Sequence, residues 1–250
     1  MKVNIFQDPA EAGSVLMARD HELLLQAAGG YPEIIIRFYK WDQPTLSLGY
    51  HQAPDILDLD RMNAAGIPWV RRPTGGAAVL HSDELTYAIV VPDAGGHGTT
   101  AIVHELVGRA ITDGLREIGL NAKLDPRGEP LSALPNRTTC FVRTSRWEVT
   151  VEGRKIVGSA QRLLGGGLLQ HGSILMGNDH LRIVDMLRLK SEADREVMRG
   201  RLAARSTSIE QELGKRTKDA EIRKVMEENF RRVMSALPVR LNALESADAS

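Results

Sequence analysis

The chain has a single cysteine among its 250 residues, Cys140. That excludes an internal disulfide and any metal centre built on clustered cysteines, and it fits a reducing compartment. There is no surplus charge of either sign, since 32 basic residues balance 32 acidic ones. A nucleic-acid-binding domain would carry a basic excess, so no nucleic-acid partner is expected. No apolar run approaches the length needed to cross a bilayer. The N-terminal MKVNIFQDPAEAG lacks the apolar stretch of a signal peptide. A cytoplasmic protein with no membrane partner is expected. HExxH-type spacing is missing, so no metal site is expected. Internal repeats are missing as well.

What is present is ordinary globular composition, 42% hydrophobic and 26% charged. The length suffices for a sizeable core. Residues 9–28 read as a helix, with Pro9 at its first position and Gly29-Gly30 ending it. Glu33 to Trp41, rich in β-branched and aromatic residues, reads as a strand. Leu46 to Tyr50, Pro68 to Arg72, Ala77 to His81 and Leu85 to Val91 read as further strands, and Asp58 caps a short helix ending at Gly66. The clearest helix follows Thr99-Thr100. Its apolar residues, from Ile102 to Ile118, recur at steps of three and four until Gly119. Residues 125–139 look irregular. Trp147 to Val151 and a strand opening at Lys155 form a hairpin around Gly153-Arg154, and Leu168 to Met176 is the last strand. From Leu181 the pattern is helical. Ile222, Met226, Phe230 and Met234 share one face, and Glu227–Arg231 and Glu228–Arg232 are i,i+4 pairs on the other. Strands in runs rather than strict β-α alternation predict an α/β (α+β) fold: a mixed, largely antiparallel sheet flanked by helices. Residues 1–180 would form the catalytic domain. Residues 181–250 would form a helical part packed on it or continuous with it.

Two stretches carry chemistry. The first is Arg71-Arg72-Pro73-Thr74-Gly75-Gly76-Ala77-Ala78-Val79-Leu80-His81. Small residues let a ligand lie against the backbone, and exposed N–H groups there suit a carbonyl or phosphate oxygen. No lysine follows the glycines, so this is not a P-loop, and it is not the GxGxxG fingerprint. A plain hairpin turn with solvated arginines reads equally well. The second stretch runs from Cys140 to Met176. Lys155 stands fifteen residues after the cysteine and opens Lys-Ile-Val-Gly158-Ser159-Ala160. Three glycines follow, then His171-Gly172-Ser173. A nucleophile, a cation and small residues within one span suggest acyl transfer. Taken alone, Cys140 reads as an inert buried residue and Lys155 as a solvated one.

RRPTGGAAVLHSDELTY resembles a sequence signature of the lipoate–protein ligase and octanoyltransferase group, relatives of biotin–protein ligase. KIVGSAQR followed by LLQHGSIL resembles the group's second signature, in the same order and at a similar distance. The resemblance covers roughly residues 10–180 and implies the class II biotin/lipoate ligase-like fold. Ala77 departs from it, standing where ligases have a third glycine and many octanoyltransferases an arginine. Thr138-Thr139-Cys140-Phe141 resembles the Cys-Phe segment of the non-classical octanoyltransferases, whose acyl-accepting cysteine precedes the lysine signature. The C-terminal part reads as short, and the accessory domain of many ligases is not expected in it.

The resemblance implies an octanoyltransferase with Cys140 and Lys155 as catalytic residues. The donor would be octanoyl-acyl carrier protein, and the acceptor a lysine of a lipoyl-carrier protein, either glycine cleavage H protein or an E2 lipoyl domain. No cofactor is expected. The alternatives are an ATP-dependent lipoate–protein ligase, which would need ATP and magnesium, a transferase between two lipoyl carriers, and a silent scaffold. Substrate-binding residues are expected at Arg71, Arg72, Thr74, Gly75, Gly76, Ala77, His81, Gly158, Ser159, Ala160, His171, Gly172 and Ser173. His81 and His171 are read as structural or substrate-shaping groups ahead of general bases. Val79, Leu80, Leu168 and Leu169 are candidates for the wall of an acyl tunnel, or plain core. Arginines 71, 72, 143, 146 and 162 are candidates for contact with the acidic carrier. A monomer is expected.

Overall fold

A computed structural model describes residues 2–92, 94, 97–126 and 147–241. Cys140, Arg143 and Arg146 lie outside the described residues. Strands β1 (Val3–Gln7), β2 (Ile34–Tyr39), β6 (Glu84–Val91), β10 (Val157–Leu164) and β11 (Gly167–Leu175) make one sheet in the order β1-β2-β6-β11-β10. The β1–β2 pair is parallel and the other three are antiparallel, which is the expected mixed sheet. β1 itself was not legible in the polar N-terminal stretch.

Alternation along the central strands explains the layers. Ile34, Ile36, Phe38, Leu85, Tyr87 and Ile89 face one side, where they meet helices α3 (His97–Glu117) and α6 (Asp219–Met234). Ile35, Tyr39, Ala88 and Val90 face the other side, against α1 (Gly13–Ala28). Burial on both faces accounts for the near-continuous apolar runs of β2 and β6. Phe230 of α6 meets Phe38 edge-on at 5.1 Å, so the C-terminal helix shares the core of the sheet. A second sheet, β4-β3-β5, is built from β3 (Thr45–Leu48), β4 (Trp69–Arg71) and β5 (Val79–His81). It packs with Met62 of α2 (Leu59–Ala64) and with Ile183, Val184 and Leu187 around a 3-10 segment, Asp179–Met186. A third sheet joins β7 (Ala122–Asp125), β8 (Glu148–Val151) and β9 (Arg154–Lys155) beside α3. Among the described residues, no helix is long and apolar enough to cross a membrane.

Several local expectations need correction. α1 starts at Gly13, not near Pro9, because Glu11 is tied in extended form to Trp41, with Asp42 N–H donating to its carbonyl at 3.1 Å. The hairpin turn is Glu152-Gly153, both at positive φ (47° and 75°), rather than Gly153-Arg154. Positive φ at both central residues is what a tight type I′ hairpin requires. The region after 181 is not continuously helical: the 3-10 segment gives way to α4 (Glu192–Arg205), α5 (Ile209–Leu213) and then α6. Glu227–Arg231 forms as expected, whereas Arg232 turns to Asp113 at 2.8 Å instead of Glu228. Asp58 does cap α2, accepting from the Arg61 N–H at 3.2 Å.

Candidate active site

The Arg71–Ala77 loop is held by its own arginines. Arg71 Nη1 donates to the carbonyls of Gly49, Tyr50 and Gln52 at 2.8–3.0 Å. Arg72 is buried and donates to Ser47 Oγ at 3.1 Å and to the carbonyls of Gly75 and Ala77 at 2.8 Å. Arg72 is thus not the solvated arginine that a plain turn would carry, and Arg71, though exposed, is tied to backbone carbonyls. Gly76 has φ +97°, and a Cβ on Gly49 would lie 1.9 Å from the Gly76 carbonyl oxygen. Glycine at both places is therefore a steric requirement.

Beneath this loop lies a cavity with about 360 Å³ of empty space, its open mouth included. Gly158, Ser159 and Ala160 of β10 and His171, Gly172 and Ser173 of β11 border it, with Arg72, Val79 and His81 beside them. The two sequence signatures thus meet at one cavity. Met17, Tyr39, Trp41 and Thr86 complete the lining. Leu80, Leu168 and Leu169 sit in the core clusters and do not border the cavity. Arg71, Gly75, Gly76 and Ala77 stand in the loop rather than on the cavity wall. Thr74 lies behind His171 and shares a 2.5 Å hydrogen bond with it.

Both histidines are locked in networks. His81 Nδ1 is 2.7 Å from Glu84 Oε1 and its Nε2 is 2.8 Å from Ser47 Oγ, while Trp41 stacks on the ring at 4.0 Å. Thr86 and Ser173 donate to the same Glu84 oxygen at 2.6 and 2.8 Å. Burial pushes the Glu84 carboxyl up, but His81 and these hydroxyls bring it below its ordinary value. His171 Nδ1 is 2.8 Å from Asp20 Oδ2. Burial lowers the His171 pKa, with Asp20 opposing the shift.

Lys155 is buried, 6% exposed, and forms an ion pair with Glu148 across the β8–β9 hairpin. Its carbonyl accepts from the Thr207 N–H at 2.9 Å, so the segment between α4 and α5 supports it from outside the sheet. His104, Glu148, Trp147 and Ser159 border a second, smaller cavity. Ser159 borders both cavities and shares a 2.6 Å hydrogen bond with the Tyr87 hydroxyl. Lys155 is not among the described lining of either cavity; its partner Glu148 borders the second, and the two cavities meet at Ser159.

Trp41, Asp20, Glu84, Glu148 and His104 were missed by the sequence reading. Asp20 had a signal: it stands on the buried stripe Leu16, Met17, Leu24, Ala27 of α1, and a charge on an apolar face implies a partner.

His104 and His180 titrate low, each near about 4, because both are buried. Lys155 adds to the effect at His104. The unfolded chain binds their protons near pH 6.5 and the folded one does not. Stability is thus fully present above about pH 6.5 and declines as pH falls toward 4, by up to about 3 kcal/mol per histidine. Urea midpoints measured from pH 7 to pH 4.5 should show the decline, and His180→Gln should make it shallower. An unchanged slope in that variant would contradict the assignment.

The family model described as "Lipoyl protein ligase A/B catalytic domain" matches residues 13–231. Octanoyltransferase LipM of Kyrpidia tusciae is 35% identical over 88% of this chain and 82% of its own length. The protein of that name from Bacillus subtilis is 35% identical over 86% and 80%, and that of Lysinibacillus sphaericus 38% over 77% and 72%. Among solved structures, the bipartite lipoate protein ligase of Thermoplasma acidophilum superposes with a TM-score of 0.68 at 21% identity, covering 94% of this chain and 83% of that one. A lipoate-protein ligase A bound with ATP superposes at 0.67 and 22%, covering 94% and 85%. These neighbours share the class II biotin/lipoate ligase fold. With residues of both sequence signatures meeting at one cavity, and a family model spanning residues 13–231, the chain belongs to the lipoyl protein ligase A/B catalytic domain family.

Proposed function

We propose that the chain is an octanoyltransferase of lipoate biosynthesis that carries the acyl group on Cys140. The observation that carries this reading is Lys155, a buried cation on β9 two residues ahead of β10, the strand that brings Gly158, Ser159 and Ala160 to the cavity, in a chain whose single cysteine lies fifteen residues earlier. Its curated relatives carry the octanoyltransferase name. The donor is octanoyl-acyl carrier protein. The acceptor is a lysine of a lipoyl-carrier protein, glycine cleavage H protein or an E2 lipoyl domain.

The thiolate is the competent nucleophile, and a free thiol titrates near about 8.5. Cys140 sulfur attacks the donor thioester carbon, and the resulting oxyanion draws on the Lys155 ammonium and nearby N–H donors. The C–S bond to the carrier breaks, and the carrier thiol leaves with a proton. The neutral amine of the acceptor lysine then attacks the Cys140 thioester. The C–S bond breaks, an amide forms, the nitrogen loses a proton, and the cysteine is free again. Thioester to amide is downhill, so no ATP, magnesium or other cofactor enters. The residues from 181 onward act with residues 1–180 as one catalytic unit, working as a cytoplasmic monomer.

The test supplies a lipoyl carrier with either octanoyl-acyl carrier protein alone or octanoate, ATP and magnesium. Acylation in the first mixture supports the transferase. Acylation confined to the second makes the chain a ligase.

A further inference from the structure

A buried carboxylate far from both sequence signatures meets the cavity lining from behind. Asp20 is fully buried on α1. Its Oδ1 accepts from Arg37 Nη1 at 2.5 Å. Its Oδ2 accepts from the Tyr39 hydroxyl at 2.9 Å and faces His171 Nδ1 at 2.8 Å. His171 Nε2 then faces Thr74 Oγ1 at 2.5 Å, and the Thr74 carbonyl accepts from the Tyr50 N–H at 2.8 Å. One chain of contacts thus runs from α1 through β11 into the glycine loop. Arg37 is itself held by Asp8, whose Oδ2 accepts from Arg37 Nε at 2.6 Å, so the carboxylate sits on a fixed base.

We infer that Asp20 is a positioning residue for the acyl-transfer site: it holds His171 as the Nδ1–H tautomer, so that Nε2 accepts from Thr74 and pins the glycine loop over the cavity. The proton assignment follows from the partners. A carboxylate oxygen already taking the Tyr39 hydroxyl only accepts, so the proton between it and His171 is on Nδ1. Burial lowers the His171 pKa; Asp20 opposes the shift without reversing it, and Arg72 and His81 add to it. The ring is therefore neutral near pH 7, and its second nitrogen is an acceptor. Thr74 must then donate. Its hydroxyl orientation is set three residues before Ala77 by a carboxylate 54 positions earlier in the chain. His171 borders the cavity next to Gly172, which pairs with Ser159. The loop and the strand that floor and roof the reacting thioester are thereby referenced to one buried anion. The same arrangement recurs at His81, with Glu84 at Nδ1 and Ser47 at Nε2, and there the contacts reach the loop only through Arg72, which donates to Ser47 Oγ and to the Gly75 and Ala77 carbonyls.

The inference rests on the acyl-transfer reading of the site, yet its first readout does not need the donor. Nitrogen-15 NMR of the full chain labelled at histidine reports the tautomer directly. Wild type should show His171 as neutral Nδ1–H from pH 7 to 8. Asp20→Asn should lose that form, because an amide oriented by Arg37 and Tyr39 presents a donor to Nδ1. In single-turnover transfer from octanoyl-acyl carrier protein, Asp20→Asn should slow acylation by about 10- to 100-fold, the scale of a small misplacement, with donor KM changed by no more than about 3-fold. Thr74→Val should give the same kinetic split with the wild-type tautomer intact, and Thr74→Ser should restore the rate. This pair decides the matter if Asp20→Asn does not fold. An imidazolium or Nε2–H form in wild type would overturn the inference, as would wild-type rates in Thr74→Val. If the tautomers are as stated and wild type transfers no octanoyl group, the donor assignment fails while the Asp20–His171–Thr74 linkage stands.

Discussion

Lys155→Met should slow octanoyl transfer by about 10³-fold, the scale reported for removing one preorganised donor to an oxyanion. The variant has a second consequence that follows from burial. Both partners of the Lys155–Glu148 pair are nearly inaccessible, with side chains 7% and 3% exposed. Removing the cation strands a buried carboxylate, which costs about 3–5 kcal/mol where such pairs have been broken. Lost activity in the single variant is therefore ambiguous between chemistry and folding. The double variant Lys155→Met, Glu148→Met separates them. Replacing a buried ion pair by apolar residues of similar volume is close to neutral or stabilising. The double variant should recover the melting temperature of the wild type and stay inactive. Recovery of both stability and transfer would mean that Lys155 serves only the hairpin.

Cys140→Ala should lower turnover with octanoyl-acyl carrier protein by about 10⁴-fold or more, as expected when a covalent nucleophile is removed. Donor affinity should remain, because truncating one thiol leaves in place the described lining, Gly158–Ala160 of β10, His171–Ser173 of β11, and Arg72, Val79 and His81. A fluorescence titration with an unreactive octanoyl-thioether carrier should give the wild-type Kd within about 3-fold while turnover is lost, the signature of an interaction made only along the reaction path. Near-wild-type turnover in Cys140→Ala would remove the covalent route.

Much of the site was legible because its two halves are local motifs. Arg71 to His81 and Lys155 to Ser173 each carry their small residues in sequence order, and β5, β10 and β11 then bring His81, Gly158–Ala160 and His171–Ser173 to one cavity. The fold class was legible from the run of β-branched strands between two periodic helices. What was not legible depended on distant partners. Asp20 stands on the apolar stripe of α1, which implies a partner, but which partner is set only when α1 packs on β11 and brings His171 to it. Arg71 and Arg72 read as candidate substrate contacts, and the structure gives their guanidinium groups backbone carbonyls to hold. Lys155 read alone is a solvated lysine, and its burial goes with pairing to Glu148 and with the Thr207 N–H bonding its backbone carbonyl. β1 escaped notice because its residues are only half-buried, so the alternation that marks a strand is weak there.

The central claim is that the acyl group rests on Cys140 during transfer, and intact mass spectrometry addresses it most directly. The full chain is incubated with octanoyl-acyl carrier protein and no ATP, quenched in acid, and weighed before and after hydroxylamine. The account predicts one added octanoyl group, removed by hydroxylamine, formed in wild type and absent in Cys140→Ser. An unmodified mass under conditions in which the carrier domain is being acylated, or an adduct that persists in Cys140→Ser, would contradict it.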